Sequence, residues 1–194
     1  MPPSRFEAAL AAIDAANAAD PSGRELEYSR RMSAMLERFS PDAPEHLRLA
    51  ARAQHIERWK TPRDSFPPGK EGYLKWRTHL YGVHAETAGK LLAQAGYDAA
   101  AIERVKSVVA KKMLRADPEA QLLEDVVALV FLEHYLAGFA AQHRDYEEAK
   151  FIDILGKTWR KMSGRAREFA LSGGVKISPD LLPLVKKAAH VQAH

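Results

Sequence analysis

The chain has 194 residues, enough for one well-packed domain, and we predict a single domain over 1–194. Hydrophobic residues make up 46% and charged residues 28% of it, a balance typical of packed amphipathic helices and not of a disordered chain. Cysteine is absent, which excludes disulfides, thiolate zinc sites and cysteine nucleophiles. The net charge of +4 is a weak indication of an anionic ligand and is too small to indicate nucleic acid by itself.

The N-terminal segment MPPSRFEAAL lacks the uninterrupted apolar run of a signal peptide. No later stretch approaches the roughly 18 apolar residues that a membrane-spanning helix needs. The absence of cysteine also fits a reducing compartment. We therefore expect a cytoplasmic protein without a membrane-spanning segment.

Helix-start patterns recur near the N-terminus. In a capping box, an N-cap residue is followed three positions later by a glutamate, and each side chain satisfies the backbone N–H of the other residue. The pattern predicts the starts of three amphipathic helices whose apolar residues recur at helical spacing. The three pairs are Ser4 with Glu7, Ser22 with Glu25, and Asp42 with Glu45.

Proline and glycine interrupt the chain between Lys60 and Gly72, where we predict a loop. A helix is predicted to follow from about Tyr73 to Ala95. It should stop there because Gly96 is the residue type favoured just past a helix end.

In the second half of the chain, Asp98 is predicted to cap one helix and Asp117-Pro118 to open a long central one. The last major helix is predicted from about Asp145 to Leu171, before Gly173-Gly174 breaks the chain and a short helix follows. No strand pattern occurs. We therefore predict an all-α bundle of about seven or eight helices.

Three segments combine Arg or Lys with Tyr, Trp or His: 23–32, 50–63 and 73–86. The second ends a helix and the third follows the proline-rich loop, so all three could border one pocket. Their cations would then form an anion-binding rim, because guanidinium groups bind phosphate and carboxylate bidentately. The alternative is that each is a solvated helix face. The predicted rim consists of Arg30, Arg31, Arg58, Arg63, Lys75 and Arg77.

The stretch HAETAGKLLAQAGYDAAAIERVKSVVAKKML from His84, followed by LLEDVVALVFLE, resembles the latter half of HD-domain proteins, a superfamily of metal-dependent phosphohydrolases. The segment ARAQHIERW resembles the helix that ends in the superfamily's His-Asp pair, and EYSRRMSAML resembles the helix that bears its first His. This resemblance covers about residues 22–135. It implies an HD-like helical core there, with C-terminal helices at about 145–190 packed on it.

The same resemblance implies a site. Tyr28 stands where the superfamily has its first His, and Gln54-His55 stands where it has His-Asp. Asp125 matches the closing Asp, and His84 matches an additional His of some branches. The implied catalytic residues are His55 and Asp125, and the implied metal ligands are His55, His84 and Asp125. Manganese, cobalt, magnesium, iron and zinc are not distinguished. Because Tyr28 and Gln54 weaken this ligand set, a protein without metal is the alternative.

The whole chain also resembles a bacterial and fungal family known only as a domain of unknown function and sometimes labelled glutamyl-tRNA synthetase. HIER at 55–58 and KMSGR at 161–165 superficially match the two signatures of class I synthetases. The first signature needs a glycine where Glu57 stands, and these enzymes need a Rossmann sheet, for which the chain offers no strands. We therefore exclude synthetase activity and interpret KMSGR as the basic end of an amphipathic helix.

The sequence is compatible with three functions. The first is a metal-dependent phosphohydrolase acting on a phosphorylated small molecule or nucleotide, with Tyr28 and the basic rim binding the substrate. The second is a non-catalytic sensor or adaptor that binds a small anion or nucleotide on the same scaffold. The third is nucleic-acid binding with Trp59 and Trp76 as stacking platforms. The sequence slightly favours the first over the second and ranks nucleic acid last. Helices outside the matched core are expected to pack on it or to form a homodimer face.

Overall fold

The computed structural model describes residues 2–114 and 116–191, and its regular structure in these ranges is entirely helical. This confirms the prediction of an all-α fold. The chain divides into two compact units, Met1–Leu123 and Glu124–His194. The single domain over 1–194 and its HD-like arrangement stay predictions. None of the described helices combines the length and the apolar character needed to cross a bilayer.

The first unit is built from helices that pack in pairs: α4 contacts α5, α3 contacts both α2 and α5, and α1 contacts α2, α3 and α4. The buried side chains of this unit include Ile13, Met32, Leu47, Ile56 and Leu92. Two short 3₁₀ turns, Arg58–Lys60 and Arg63–Ser65, connect α3 to α4. The helices are α1 (Arg5–Ala18), α2 (Arg24–Phe39), α3 (Glu45–Arg52), α4 (Gly69–Gln94), α5 (Ala99–Val109) and α6 (Pro118–Val130).

The second unit begins within α6, which continues through a π-helical segment, Phe131–Tyr135, into α7. Helices α8 and α10 pack on each other, and Phe151, Leu155, Trp159 and Val185 on these two helices are buried. The helices of this unit are α7 (Leu136–Gln142), α8 (Glu148–Lys161), α9 (Gly164–Leu171) and α10 (Leu182–Val191).

The predicted helix over 145–171 is wrong, because two helices, α8 and α9, occupy that stretch. Ser163 is the N-cap of α9, and its hydroxyl accepts the backbone N–H of Ala166 at 3.2 Å. The buried carboxylate of Asp125 accepts the backbone N–H of Ser163 at 2.7 Å and its hydroxyl at 2.6 Å. A long-range partner therefore stabilises the break.

The capping box of Ser4 and Glu7 is confirmed at the start of α1. At α2 the predicted box is wrong. Gly23 occupies the N-cap with a left-handed φ of 67°, and no side chain caps from that position. The Asp20 carboxylate instead accepts the backbone N–H of Ser22 at 3.0 Å and that of Glu25 at 3.1 Å. The carboxylate of Glu25 is thus not needed for the cap.

The third predicted box is also wrong, because Pro44, and not Asp42, is the N-cap of α3. The carboxylate of Glu45 accepts the hydroxyl of Tyr97 at 2.6 Å instead of closing a local box. The predicted cap of α5 is confirmed, since Asp98 accepts the backbone N–H of Ala101 at 2.8 Å.

Helix α4 begins at Gly69, before the predicted Tyr73, so the loop is shorter than expected. Gly72, which the sequence pattern places at the end of the loop, lies in the first turn of α4 against the preceding loop. A Cβ atom at Gly72 would lie 1.8 Å from the carbonyl oxygen of Pro67. The glycine is therefore required by this close approach.

We expect Gly72→Ala to lower the free energy of unfolding by about 2–3 kcal/mol, because the added methyl group must push the Pro67 backbone away. The matched control is Gly82→Ala in the same helix, where no atom other than the backbone of the surrounding helix turns lies within 4 Å of the added carbon. We expect that control to gain up to about 1 kcal/mol, because alanine favours helix. Urea unfolding of both variants checks the pair, and equal effects would contradict it.

A cluster of ion pairs links α3, α5 and the start of α6. Arg104 donates to both carboxylate oxygens of Asp117, at 2.5 and 2.9 Å, and its Nε donates to Glu119 at 2.8 Å. His46 Nε2 lies 2.8 Å from the Glu119 carboxylate. Asp117 also accepts the backbone N–H of Glu119 at 3.0 Å, which confirms the predicted helix start.

The hydrogen bonds from Arg104 lower the pKa of Asp117 from 3.8 to about 2. A lowered pKa means that the stabilisation is complete above the unfolded value and is lost as the pH falls from about 4 towards 2. Because Arg104 is partly exposed, we expect Asp117→Asn to cost about 1–2 kcal/mol at pH 7. Unfolding of both proteins at pH 7 and pH 2.5 checks this. A difference that does not shrink at low pH would contradict it.

Candidate anion-binding site

The first unit brings together five side chains that we call the histidine cluster: Tyr28, His55, Arg58, Trp76 and His84. Tyr28 comes from α2, His55 and Arg58 from the turns after α3, and Trp76 and His84 from α4. The imidazole of His55 stacks on the ring of Tyr28, with ring centroids 4.1 Å apart and planes 11° apart. On α4, the ring of His84 lies 5.9 Å from that of His55.

The backbone between α3 and α4 presents His55 and Arg58 to the cluster. Glu57, between them, is left-handed with a φ of 54°, and its N–H donates to the side chain of Asn17 at 3.2 Å. A left-handed conformation is uncommon and costly for a residue with a Cβ, and such residues concentrate at functional sites. The strain at Glu57 therefore marks the turn that carries two members of the cluster.

Arg58 contacts aromatic rings on two sides. Its Nη1 lies 3.3 Å from Nδ1 and 3.1 Å from Nε2 of His55, and its guanidinium carbon lies 4.7 Å from the centre of the Trp76 ring. Trp76 is held in place because its Nε1 donates to the carbonyl of Thr61 at 2.9 Å. Within the part of the chain that the structure describes, no carboxylate forms an ion pair with Arg58.

Two further cations meet beside the cluster at Tyr81. Arg77 donates to the Tyr81 hydroxyl at 2.6 Å, and its guanidinium carbon lies 5.7 Å from the ring centre. The ammonium of Lys111 lies 5.8 Å from the same ring centre. Lys111 is itself left-handed, with a φ of 52°, so a second strained backbone position carries a basic side chain of this region.

Both imidazoles of the cluster are neutral at pH 7. Burial lowers the pKa of His55 well below its ordinary value, and the positive charge of Arg58 lowers it further, with smaller effects of His84, Lys111 and Arg77. Burial lowers the pKa of His84 to about 4, against the opposing effect of its hydrogen bond to Ile56. The cluster therefore combines uncharged imidazoles with cations from separate parts of the fold.

Glu25 is a nearby group that the sequence did not indicate. Burial raises the pKa of its carboxyl, and the positive charge of Arg58 opposes that rise. Glu25 precedes Tyr28 by three residues on α2, and residues three apart share a helix face, so this spacing indicates that Glu25 lies near the cluster. The sequence pattern instead pairs Glu25 with Ser22 in a capping box.

Arg30 is exposed on α2, and the other three remaining rim residues have contacts outside the cluster. Arg63 donates to the carbonyls of Phe66 at 3.0 Å and Pro67 at 2.8 Å and so ties the loop before α4. Lys75 pairs with Glu71 at 2.7 Å on the exposed face of α4. Arg31 pairs with Glu27 along α2. Their role in ligand binding stays a prediction.

The donor set of the cluster does not fit a divalent cation. Among residues 2–114 and 116–191, no group of three His, Cys, Asp or Glu side chains is placed to hold a metal ion. The cluster offers two imidazoles and a phenol, and the cationic Arg58 contacts His55, whereas Mg²⁺ and Mn²⁺ prefer anionic oxygens and zinc sites take at least three His, Cys, Asp or Glu ligands. Asp125, in the second unit, has both carboxylate oxygens engaged with Ser163. We therefore derive no reaction step through a metal.

A family model described as "Domain of unknown function (DUF4202)" matches residues 7–185 of the chain. No curated protein and no solved structure matches the chain.

Proposed function

Since the chain belongs to the family described as Domain of unknown function (DUF4202), we propose a function from its own geometry: it binds a small phosphorylated or otherwise anionic ligand at the histidine cluster. The observation that carries this proposal is Arg58. Its guanidinium is half-buried against the rings of His55 and Trp76 and forms no ion pair with a carboxylate in the described ranges. A bound anion would supply the missing counter-charge.

The electrostatics around His55 support an anion in particular. Arg58, Lys111 and Arg77 all act to lower the pKa of His55, which indicates that the positive potential of all three reaches the His55 ring. Because neutral imidazoles do not cancel this field, the field favours a negatively charged ligand over a neutral one. Glu25 is the nearby carboxyl, and burial disfavours its charged form.

The first candidate function is binding without catalysis, as in a sensor or an adaptor. Phosphohydrolase activity is the second candidate. The observation that favours it is the meeting of Tyr28, His55 and His84, the positions at which the HD-domain resemblance implies a site. Nucleic-acid binding ranks last, because Trp76 is only 6% exposed and its ring contacts Arg58, so it offers no open face to a base.

The test is a thermal-shift series on chelator-treated protein with phosphate, sulfate, nucleotides and sugar phosphates, followed by hydrolysis assays with added Mn²⁺, Co²⁺ or Mg²⁺. Binding to the native state raises the melting temperature with ligand concentration. We expect an anion-dependent rise that persists in chelator, and no turnover. Metal-dependent turnover would favour the phosphohydrolase over the sensor or adaptor. A melting temperature that no anion raises would contradict both functions.

A further inference from the structure

A buried nitrogen in the histidine cluster lacks a hydrogen-bond partner. Nδ1 of His84 lies 2.8 Å from the carbonyl oxygen of Ile56. A carbonyl oxygen only accepts, so Nδ1 carries the proton, and in a neutral ring Nε2 is then a bare acceptor. Nε2 is buried and has no hydrogen-bond partner among the described residues, and the His84 side chain as a whole is 2% exposed.

A buried acceptor without a donor is costly and rare in folded proteins. The side chains around His84 do not supply the donor, since Arg58 is directed at the nitrogens of His55. His84 lies next to that imidazole, with ring centroids 5.9 Å apart. The open acceptor is therefore one ring away from the cation to which we assign the ligand.

We infer that the bound anion carries an O–H group and that this group donates a hydrogen bond to Nε2 of His84. This inference rests on the proposed function and narrows the class of ligand. Hydrogenphosphate and hydroxyl-bearing phosphate esters have such a donor, whereas sulfate and simple alkyl phosphate dianions lack one. Sites built to bond a ligand hydroxyl discriminate strongly against the analogue without it, because a buried group is then left unpaired.

Nε2 is not exposed to solvent, so a ligand reaches it only when neighbouring atoms move. We assign this movement to Arg58, because its guanidinium lies against the neighbouring His55 ring and pairs with no carboxylate in the described ranges. When Arg58 turns from the imidazole to the anion, the O–H group of the ligand can donate a hydrogen bond to Nε2 of His84, and the proton stays on the ligand.

Two pairs of probes test this by isothermal titration. At pH 7, phosphate carries a P–O–H donor on the anion itself, and sulfate has no such donor. Glycerol 3-phosphate and propyl phosphate differ in hydroxyl groups on the carbon chain. We expect the donor-bearing member of at least one pair to bind about tenfold or more tightly. The pair that shows the preference identifies where the donor sits.

The matched variant is His84→Asn. Its amide N–H can replace Nδ1 as the donor to Ile56, but it has no atom in place of Nε2. We expect this variant to keep its fold by circular dichroism and to lose the preference for the donor-bearing member of the pair. Equal affinities within both pairs in the unmodified protein, as a water molecule held at Nε2 would give, overturn the inference and leave anion binding standing. A preference that survives in His84→Asn also overturns it. If no probe binds, the proposed function fails, and this inference fails with it.

Discussion

Replacing Arg58 with methionine is expected to weaken phosphate binding by about 10- to 100-fold, the loss that follows from removing charge-assisted hydrogen bonds to an anion. Methionine keeps an apolar stem to lie on the Trp76 ring, so the fold should suffer little. Isothermal titration of the variant with phosphate measures the loss. The result would identify Arg58 as the main anion ligand.

The control for Arg58 is Lys75→Met, which removes the same charge from an exposed ion pair with Glu71. Surface pairs of this kind contribute little to stability, so we expect neither the fold nor the affinity to change. If both variants weaken binding equally, the effect comes from net charge and not from a site. If Arg58→Met binds as well as the unmodified protein, the histidine cluster is not the site.

Asp125→Ala is expected to lower the free energy of unfolding by about 2–4 kcal/mol, because it removes both hydrogen bonds to Ser163 and leaves the part-buried N–H and hydroxyl of Ser163 without their acceptor. The HD-domain resemblance implies instead that Asp125 is a catalytic metal ligand. Thermal and urea unfolding, each with and without added Mn²⁺, separate the two roles. A structural carboxylate gives a loss of stability that the metal does not alter.

A double-mutant cycle with Ser163→Ala sharpens this test. The alanine removes the hydroxyl that donates to Asp125 at 2.6 Å, so the two changes share an interaction. We expect the double variant to lose clearly less stability than the sum of the two single losses. Additive losses would show that the contact stabilises nothing. A metal-dependent rise in melting temperature that Asp125→Ala abolishes would favour the ligand role.

Helix starts that depend on neighbouring residues could be predicted from the sequence. Ser4 with Glu7, Asp98 and Asp117 all cap the helices that they were expected to cap. Gly96 follows the end of α4 with a φ of 86°. In each case the donor and the acceptor lie within a few residues, so the local sequence contains the whole interaction.

Helix starts that depend on competing partners could not be predicted in this way. Asp20 accepts the two backbone N–H groups, of Ser22 and Glu25, that the capping box assigns to each other's side chains, and this leaves the Glu25 carboxylate for the region of Arg58. The break before α9 is fixed by Asp125, 38 residues away from Ser163. No local pattern indicates a partner at that distance.

The candidate site was predicted in part. The sequence indicated Tyr28, His55, Arg58 and His84 as members of one site, and the structure brings them together. It could not indicate that Arg63 ties a loop or that Lys75 pairs along its own helix, because both contacts depend on the reach of side chains. The tautomer of His84 likewise depends on a carbonyl that only the fold supplies.

The central claim is that the histidine cluster binds an anion through Arg58. Isothermal titration of chelator-treated protein with phosphate tests it most directly, with Arg58→Met titrated under the same conditions. We predict saturable binding of one phosphate per chain in the unmodified protein and a loss of that binding in the variant. Heats that never saturate, or identical binding curves for the two proteins, would contradict the claim.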